Sequence, residues 1–253
     1  MKIDLSYQMP YITNLLTIFV AIVQSMQHLL LLHGAIGAKD QLQPLAAALK
    51  DSFIIHTLNF SGHGGHPFPA KAFSIPLFAK EVQEYMEINN IPQAYVFGYS
   101  MGGYAAMYLA KHHPGKITKL STLATKYHWD EATAAKEVRM LDGATIRQKV
   151  PAFAAQLQQR HAPNDWNELL EKTQEMLLGL GKQNELQLSD YAAVTTPVLV
   201  LLGDRDKMVT MEETIATYKQ LPSGKLGILP GTTHPLEQVD ISLLKHLLID
   251  FFK

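Results

Sequence analysis

Short runs of apolar residues alternate along the chain with stretches whose apolar side chains recur every three or four positions. An uninterrupted apolar run is typical of a strand buried on both faces of a parallel sheet, and the three-to-four spacing predicts helices. Between residues 125 and 193 the strand pattern disappears, and amphipathic stretches rich in Ala, Glu, Gln and Lys take its place. The predicted strands are residues 28–32, 53–58, 94–97, 116–124, 197–202 and 225–229.

This alternation predicts an α/β fold, with a mainly parallel sheet that helices cover on both faces. Because the helical block precedes the last two strands, we expect it to be a helical cap inserted into the sheet domain. Residues 26–124 and 194–253 are then the core domain, and residues 125–193 are the cap. Residues 1–25 are predicted to be a peripheral N-terminal segment.

The peripheral segment contains an uncharged apolar run at residues 15–23. This run is too short to span a bilayer as a helix. It also matches a signal peptide poorly, because Asp4 follows Lys2 and no clear small-x-small cleavage site precedes Gln27. We expect an extra strand or an apolar helix that packs on the domain, without stable membrane insertion. The alternative is that Met26 is the natural start of the protein.

Composition narrows the possible partners. The chain has 253 residues, of which 47% are hydrophobic and 18% are charged, as suits one large α/β domain. The net charge of −1 and the lack of a basic run argue against nucleic acid and anionic membranes as partners. Because the chain has no cysteine, disulfides, thiolate metal sites and a cysteine nucleophile are excluded. We expect a cytoplasmic protein with a small-molecule substrate and no cofactor, whereas the oligomeric state is left open.

The segment Gly98-Tyr99-Ser100-Met101-Gly102 lies between a predicted strand and a predicted helix. A sharp strand-to-helix turn strains the backbone at the serine and lifts its hydroxyl above the sheet. Such a turn brings backbone segments close together, so only glycine fits two positions before and after the serine. The pattern therefore predicts that Ser100 is a nucleophile, although a capping serine in a loop is the simpler alternative.

A serine nucleophile needs a base and a group that orients the base. In an open α/β sheet, reacting groups collect beyond the carboxyl ends of the strands. His234 follows the last predicted strand, and Asp204 and Asp206 follow the strand before it. The order Ser, Asp, His is the one expected of this architecture. We predict His234 as the base and Asp206 as its partner, with Asp204 as the rival carboxylate.

Acyl transfer also requires donors for the developing oxyanion. One is predicted to be the backbone N–H of Met101, at the start of the helix that follows Ser100. The other is predicted on the loop after the first strand, where we choose the N–H of Ala35 over that of Ile36.

His63 and His66 lie in a glycine-rich loop without an accompanying carboxylate cluster, so no metal site is predicted there.

The predicted cap contains aromatic and arginine residues that could reach the site. Aromatic side chains at helical spacing are more often part of a core, so we expect most of these to be core residues. The arginines are expected to lie on solvated faces, although one could contact an anionic substrate. The aromatic residues are Tyr127, Trp129, Phe153 and Trp166, and the arginines are Arg139, Arg147 and Arg160.

From about Gln27 to the C-terminus, the chain resembles the α/β-hydrolase superfamily, in particular its short, capped, esterase-like branch. The resemblance rests on five motifs in a fixed order. In that family the second aspartate of Gly-Asp-x-Asp usually serves as the catalytic acid, which favours Asp206. One departure is that Asn59 stands where relatives often have aspartate. The motifs are residues 33–37 (His-Gly-Ala-Ile-Gly), 62–64 (Gly-His-Gly), 98–103 (Gly-Tyr-Ser-Met-Gly-Gly), 203–206 (Gly-Asp-Arg-Asp) and 231–234 (Gly-Thr-Thr-His).

The resemblance implies a cofactor-independent serine hydrolase that cleaves small carboxylic esters through an acyl-enzyme. The same three residues could instead serve C–C bond hydrolysis, a thioesterase, an amidase or a lyase. A ligand-binding or signalling protein with little turnover is the alternative from another class, since fold alone does not fix function.

Overall fold

The computed structural model describes residues 26–253, and the predicted peripheral segment at residues 1–25 lies outside them. Six parallel strands form one sheet in the order β2-β1-β3-β4-β5-β6. The strands are β1 (His28–Leu32), β2 (Ile54–Thr57), β3 (Ala94–Tyr99), β4 (Ile117–Leu123), β5 (Val198–Gly203) and β6 (Gly224–Leu229). The predicted α/β class and parallel sheet are confirmed.

The bounds of β1 match the predicted ones, and those of the other five strands differ by one or two residues. The largest gain is in β3, which continues past the apolar run to Tyr99 because that residue still pairs with Leu123 of β4. The reverse holds at β2, which is shorter than the predicted 53–58 because its pairing with β1 covers only Ile54–Thr57.

Nine α-helices accompany the sheet within the described residues. Three further short segments are 3₁₀ helices at Lys39–Leu42, Leu188–Ala193 and Leu236–Gln238, and another 3₁₀ turn occupies Arg139–Leu141. The α-helices are α1 (Gln43–Leu49), α2 (Ile75–Ile88), α3 (Met101–His112), α4 (Glu131–Val138), α5 (Gly143–Lys149), α6 (Pro151–His161), α7 (Trp166–Lys182), α8 (Met211–Gln220) and α9 (Ile241–Phe252).

The leucines of β1 explain why its sequence is apolar without interruption. Leu30 and Leu32 belong to the core on one face of the sheet, with α2 and α3. Leu29 and Leu31 belong to the core on the other face, with α1 and α9. All four are fully buried, and each such side chain contributes about 1.5–3 kcal/mol to folding. A polar residue at any of these positions would face a core on one side or the other.

Helices α4 to α7 lie between β4 and β5, as predicted for an inserted helical cap. Three of the four begin at an aspartate whose carboxylate accepts a backbone N–H of the first turn: Asp130, Asp142 and Asp165. The fourth, α6, begins at Pro151, where the missing N–H is tolerated. Ile146, Leu157, Trp166 and Leu170 form a small separate core between these helices. The domain bounds assigned from the sequence stay a prediction.

Candidate active site

Ser100 joins β3 to α3 in a strained backbone conformation, with φ of 49° and ψ of −118°. A positive φ is rare for a residue with a side chain and has to be held by its surroundings. Here the N–H of Ser100 donates to the carbonyl of Leu123 at 2.8 Å. Its carbonyl accepts from Thr125 Oγ1 at 3.1 Å. Hydrogen bonds on both sides of the residue therefore hold the sharp turn predicted from the sequence.

The glycines around Ser100 are required by close backbone contacts. A Cβ on Gly98 would lie 2.5 Å from the Cα of Gly103, inside the same turn. A Cβ on Gly102 would lie 2.6 Å from the carbonyl oxygen of His33, at the end of β1. Gly98 thus permits the turn itself, whereas Gly102 permits α3 to begin directly against the neighbouring strand.

His234 contacts Asp206 across the ends of two neighbouring strands. The two atoms, His234 Nδ1 and Asp206 Oδ2, are 2.8 Å apart. The side chain of Asp206 is fully buried, whereas that of His234 is 14% exposed. The other oxygen of Asp206 accepts the backbone N–H groups of Met208 and Val209 at 2.8 and 2.9 Å. The carboxylate is therefore fixed in place and directed at the imidazole.

These contacts also determine the charge of Asp206. Burial raises the pKa of its carboxyl group, but His234 and the two backbone N–H groups outweigh that effect. The resulting pKa lies below the ordinary value, so Asp206 is ionised at neutral pH.

Asp204 has a different role from its neighbour. Its Oδ1 accepts the backbone N–H of Thr232 at 3.2 Å, and so ties the β5 loop to the β6 loop that carries His234. From the other side, the hydroxyl of Tyr99 donates to the carbonyl of His234 at 2.9 Å. Asp204 and Tyr99 thus position the loop of His234, and Asp206 is the carboxylate that contacts its ring.

The two predicted oxyanion donors lie beside Ser100. Ala35 and Met101 both line the cavity above the serine. Within residues 26–253, no hydrogen-bond acceptor is found for the backbone N–H of either. The same holds for Ile36, whose φ of 50° marks a second strained position next to the site. Among the described residues, backbone N–H groups from the loop after β1 and from the start of α3 thus border the Ser100 cavity without a protein partner.

Two buried histidines support the first loop, residues 33–38, which follows β1 and carries Ala35 and Ile36. The His33 ring donates from Nδ1 to the Gly34 carbonyl at 2.8 Å and accepts the Phe60 N–H at Nε2, at 3.1 Å. His161, from the cap helix α6, accepts the N–H of Gly64 and donates from Nε2 to the carbonyl of Ile36 at 2.9 Å. Burial lowers the pKa of both rings, for His33 to about 4. Both histidines are therefore neutral and serve as hydrogen-bond bridges.

A cavity of about 320 Å³ lies between the sheet and the cap. Ser100 and His234 line its floor, and its walls are mostly apolar side chains of the cap, such as Leu141, Phe153 and Leu177. A mainly apolar, concave space with a few polar groups is typical of a small-molecule site.

The charged groups around the cavity are mostly paired. Arg160 contacts Asp40 and Glu237 at 3.2 and 3.5 Å, and its side chain is only 14% exposed. The expected solvated position of Arg160 is wrong, because α6 lies directly over the first loop. Lys126 similarly contacts the carboxylate of Glu213 at 3.1 Å.

The predicted aromatic residues divide into two groups. Tyr127 and Trp166 are core residues, with 3% exposure each. Trp129 and Phe153 line the cavity instead.

His63 is buried against the first loop, and within residues 26–253 no group of three or more His, Asp or Glu side chains is arranged to bind a metal ion.

The sequence does not predict two residues of the site, His161 and Glu137. Both belong to cap helices of ordinary amphipathic composition. His161 precedes Pro163 at the end of α6, and Glu137 lies near the end of α4, where a solvated charge is the usual interpretation. No local signal marks either residue, since each is buried only through contacts with distant parts of the chain.

The fold and the arrangement of Ser100, Asp206 and His234 define a class of protein. A family model described as "alpha/beta hydrolase fold" matches residues 27–236, and the chain belongs to this family. The sequence-based resemblance is thereby confirmed.

The proteins to which the chain is similar include several hydrolases. The chain is 27% identical over 224 residues to a pimeloyl-[acyl-carrier protein] methyl ester esterase of Chromobacterium violaceum, covering 80% of this chain and 83% of that protein. It is 22% identical to a 2-(acetamidomethylene)succinate hydrolase of Mesorhizobium japonicum, covering 88% and 87%. A solved structure of 2-hydroxy-6-oxo-6-phenylhexa-2,4-dienoate hydrolase from Rhodococcus sp. strain RHA1 has a TM-score of 0.76 at 16% identity, covering 90% of each chain. The chain is accordingly an enzyme of the α/β-hydrolase class.

Among residues 26–253, no helix is both long enough and apolar enough to cross a bilayer.

Proposed function

We propose that this protein is a serine hydrolase that cleaves small carboxylic esters with the residues Ser100, His234 and Asp206. The observation that carries the proposal is the strained Ser100 at the strand-to-helix turn, in one cavity with His234, whose ring contacts the buried Asp206 at 2.8 Å. This combination supplies a nucleophile, a base and a group that orients the base.

The first half of the reaction forms an acyl-enzyme. Ser100 Oγ attacks the ester carbonyl carbon while Nε2 of His234 removes the hydroxyl proton. The carbonyl oxygen becomes negative and is stabilised by the backbone N–H groups of Met101 and Ala35. When the tetrahedral intermediate collapses, the C–O bond to the alcohol breaks and His234 donates its proton to the leaving oxygen.

The second half repeats these steps with water. His234 removes a proton from water, which attacks the acyl carbon, and the proton then passes to Ser100 Oγ as the carboxylic acid departs. Throughout, Asp206 keeps the ring proton on Nδ1 and stabilises the imidazolium. Because Asp206 stays ionised, its negative charge is available in both halves.

The scissile bond is assigned to an ester because relatives in Chromobacterium violaceum and Neisseria meningitidis are named methyl ester esterases. We expect kcat/KM for an ester to exceed that for the amide of the same acyl group. Faster cleavage of the amide would contradict the assignment.

The expected cytoplasmic location of the protein stays a prediction, which cell fractionation would test.

A fluorophosphonate probe tests the nucleophile directly, since it reacts with an activated serine. The wild-type protein should be labelled, and peptide mapping should place the label on Ser100. Ser100→Ala should abolish both labelling and ester hydrolysis. Ser223→Ala is the matched control, because Ser223 is exposed at the opposite end of the sheet, before β6, and should leave both signals intact. A folded wild-type protein without any label would overturn the proposal.

A further inference from the structure

The wall of the cavity contains a buried carboxyl group that nothing in the described protein satisfies. Glu137 lies on α4 and is only 3% exposed, yet its Oε2 atom has no hydrogen-bond partner. The residue lines the same cavity as Ser100 and His234. A buried polar atom without a partner is costly, so native proteins retain one chiefly where a ligand or a function requires it.

A second unsatisfied polar atom belongs to the same wall. Trp129 precedes α4 and also lines the cavity, and its indole Nε1–H is buried without an acceptor. The two atoms differ in kind, because the indole N–H can only donate a hydrogen bond. Both residues line the cavity, whose largely apolar wall therefore contains one unsatisfied donor and one unsatisfied carboxyl group.

The cations that line the cavity form ion pairs with other carboxylates and not with Glu137. Lys126 donates to the carbonyl of Met208 and to Glu213, at 3.0 and 3.1 Å. Arg160 contacts Asp40 and Glu237. Burial raises the pKa of Glu137, an effect that Lys126, Lys136 and His234 only partly oppose. The carboxyl group of Glu137 therefore has no cation of its own, because each lysine or arginine that lines the cavity within the described residues already contacts another carboxylate.

We propose that Glu137 and Trp129 form a polar subsite that binds a hydroxyl group of the ester substrate. The hydroxyl oxygen accepts a hydrogen bond from the indole N–H of Trp129, and the hydroxyl group donates a hydrogen bond to the carboxylate of Glu137. This inference rests on the proposed function, which it deepens by naming a chemical group of the substrate.

A hydroxyl group fits this pair better than the other polar groups. It both donates and accepts, so it can satisfy both atoms at once. An ammonium group has no acceptor for the indole N–H. A substrate carboxylate would be repelled by an ionised Glu137, and the nearby cations are already paired. An apolar chain would leave both protein atoms unsatisfied, at a cost of about tenfold or more in kcat/KM.

Matched esters test the subsite. Nitrophenyl esters of one chain length, ending in a hydroxyl, methyl, amino or carboxylate group, should be compared over a series of chain lengths. A second series should carry the same groups on the alcohol side. At the best length, in the series that reaches the subsite, the wild-type enzyme should prefer the hydroxyl ester to the methyl ester by about tenfold or more in kcat/KM.

Variants assign that preference to the two residues. Glu137→Leu should reduce the hydroxyl-to-methyl ratio to one or below, because the hydroxyl ester loses its acceptor and the apolar ester gains an apolar neighbour. Glu137→Gln should keep most of the preference, since its amide oxygen still accepts. Trp129→Phe should reduce the ratio in part. Met140→Leu, which changes another cavity-lining side chain without adding or removing a polar group, should leave the ratio as in the wild type.

The results separate this inference from the proposed function. If esters are hydrolysed with no hydroxyl preference in either series, or if Glu137→Leu keeps the wild-type ratio, the subsite is refuted and the function stands. A preference for the amino ester that Trp129→Phe does not alter would replace the hydroxyl site by an ammonium site. If no ester is hydrolysed, calorimetric binding of the hydroxyl ester to Ser100→Ala, weakened about tenfold or more by adding Glu137→Leu, still supports the subsite; equal binding refutes it.

Discussion

The carboxylate of Asp206 lies 2.8 Å from Nδ1 of His234, whereas Asp204, two residues earlier, contacts the backbone of Thr232. The two aspartates therefore predict different outcomes for the same substitution. Asp206→Asn should lower kcat/KM by about three to four powers of ten, because the amide can no longer enforce the tautomer or stabilise the imidazolium. Nitrophenyl ester hydrolysis measures the effect.

Asp204→Asn is the matched control. It removes one hydrogen bond that ties two loops, so the loss in kcat/KM should stay within about tenfold. A larger loss for Asp204→Asn than for Asp206→Asn would show that the wrong carboxylate has been assigned to the histidine.

Alanine substitutions at two glycines should have opposite effects on stability, because only Gly102, in the tight turn at Ser100, is in close contact with other backbone atoms. Gly102→Ala places a Cβ 2.6 Å from the carbonyl oxygen of His33, in rigid backbone, and should destabilise the protein by about 1–3 kcal/mol while also lowering activity. Gly179→Ala, in the exposed part of α7, meets nothing within 4 Å and should raise the free energy of unfolding by about 0.5–1 kcal/mol. Urea unfolding measures both. Equal effects would argue against the steric explanation.

The sheet and the turn at Ser100 could be predicted because their signals are local. A run such as Leu29–Leu32 can only be buried on two faces, and Gly98 is required by the neighbouring atoms of its own turn. The cap contacts could not be predicted in this way. His161 reaches Ile36 across 125 positions of the sequence, so its partner follows from how α6 packs on the first loop and not from its neighbours in the chain.

Glu137 and Arg160 illustrate the same limit. In sequence, a charged residue on an amphipathic helix is indistinguishable from a solvated one. Glu137 is buried and Arg160 is half-buried here because a second element covers each, which no periodicity in its own helix encodes. The starts of three cap helices are easier to predict from the sequence, however. Asp130, Asp142 and Asp165 have the positions and side chains of N-caps.

The bridge formed by His161 predicts an effect on rate more than on binding. His161→Phe removes the contacts to Ile36 and Gly64 and should let the loop that carries Ala35 shift away from the oxyanion. We expect kcat to fall about tenfold to a hundredfold, with a smaller change in KM. His161→Gln, whose amide can both donate and accept, should recover part of kcat. Equal losses in kcat for both variants, together with a lowered melting temperature, would indicate a structural role only.

Buried neutral histidines predict that the protein loses stability in mild acid. The pKa of His33 is lowered from 6.5 to about 4, chiefly by burial. Between these values the unfolded chain binds a proton that the folded protein does not. The contribution of His33 is therefore complete above pH 6.5 and is lost as the pH falls towards 4, by about 3 kcal/mol. The lowered pKa values of His63 and His161 act in the same direction.

The free energy of unfolding in urea, measured at several pH values between about 7 and 4, tests this effect. His33→Gln should be less stable than the wild type at pH 7, because it loses the packing of the ring, but its stability should fall less steeply with acid. His66→Gln should keep the wild-type slope, since His66 is exposed on the same loop as His63. If His33→Gln and the wild type lose stability in parallel, acid lability must arise elsewhere, and the neutral bridge at His33 would not be its source.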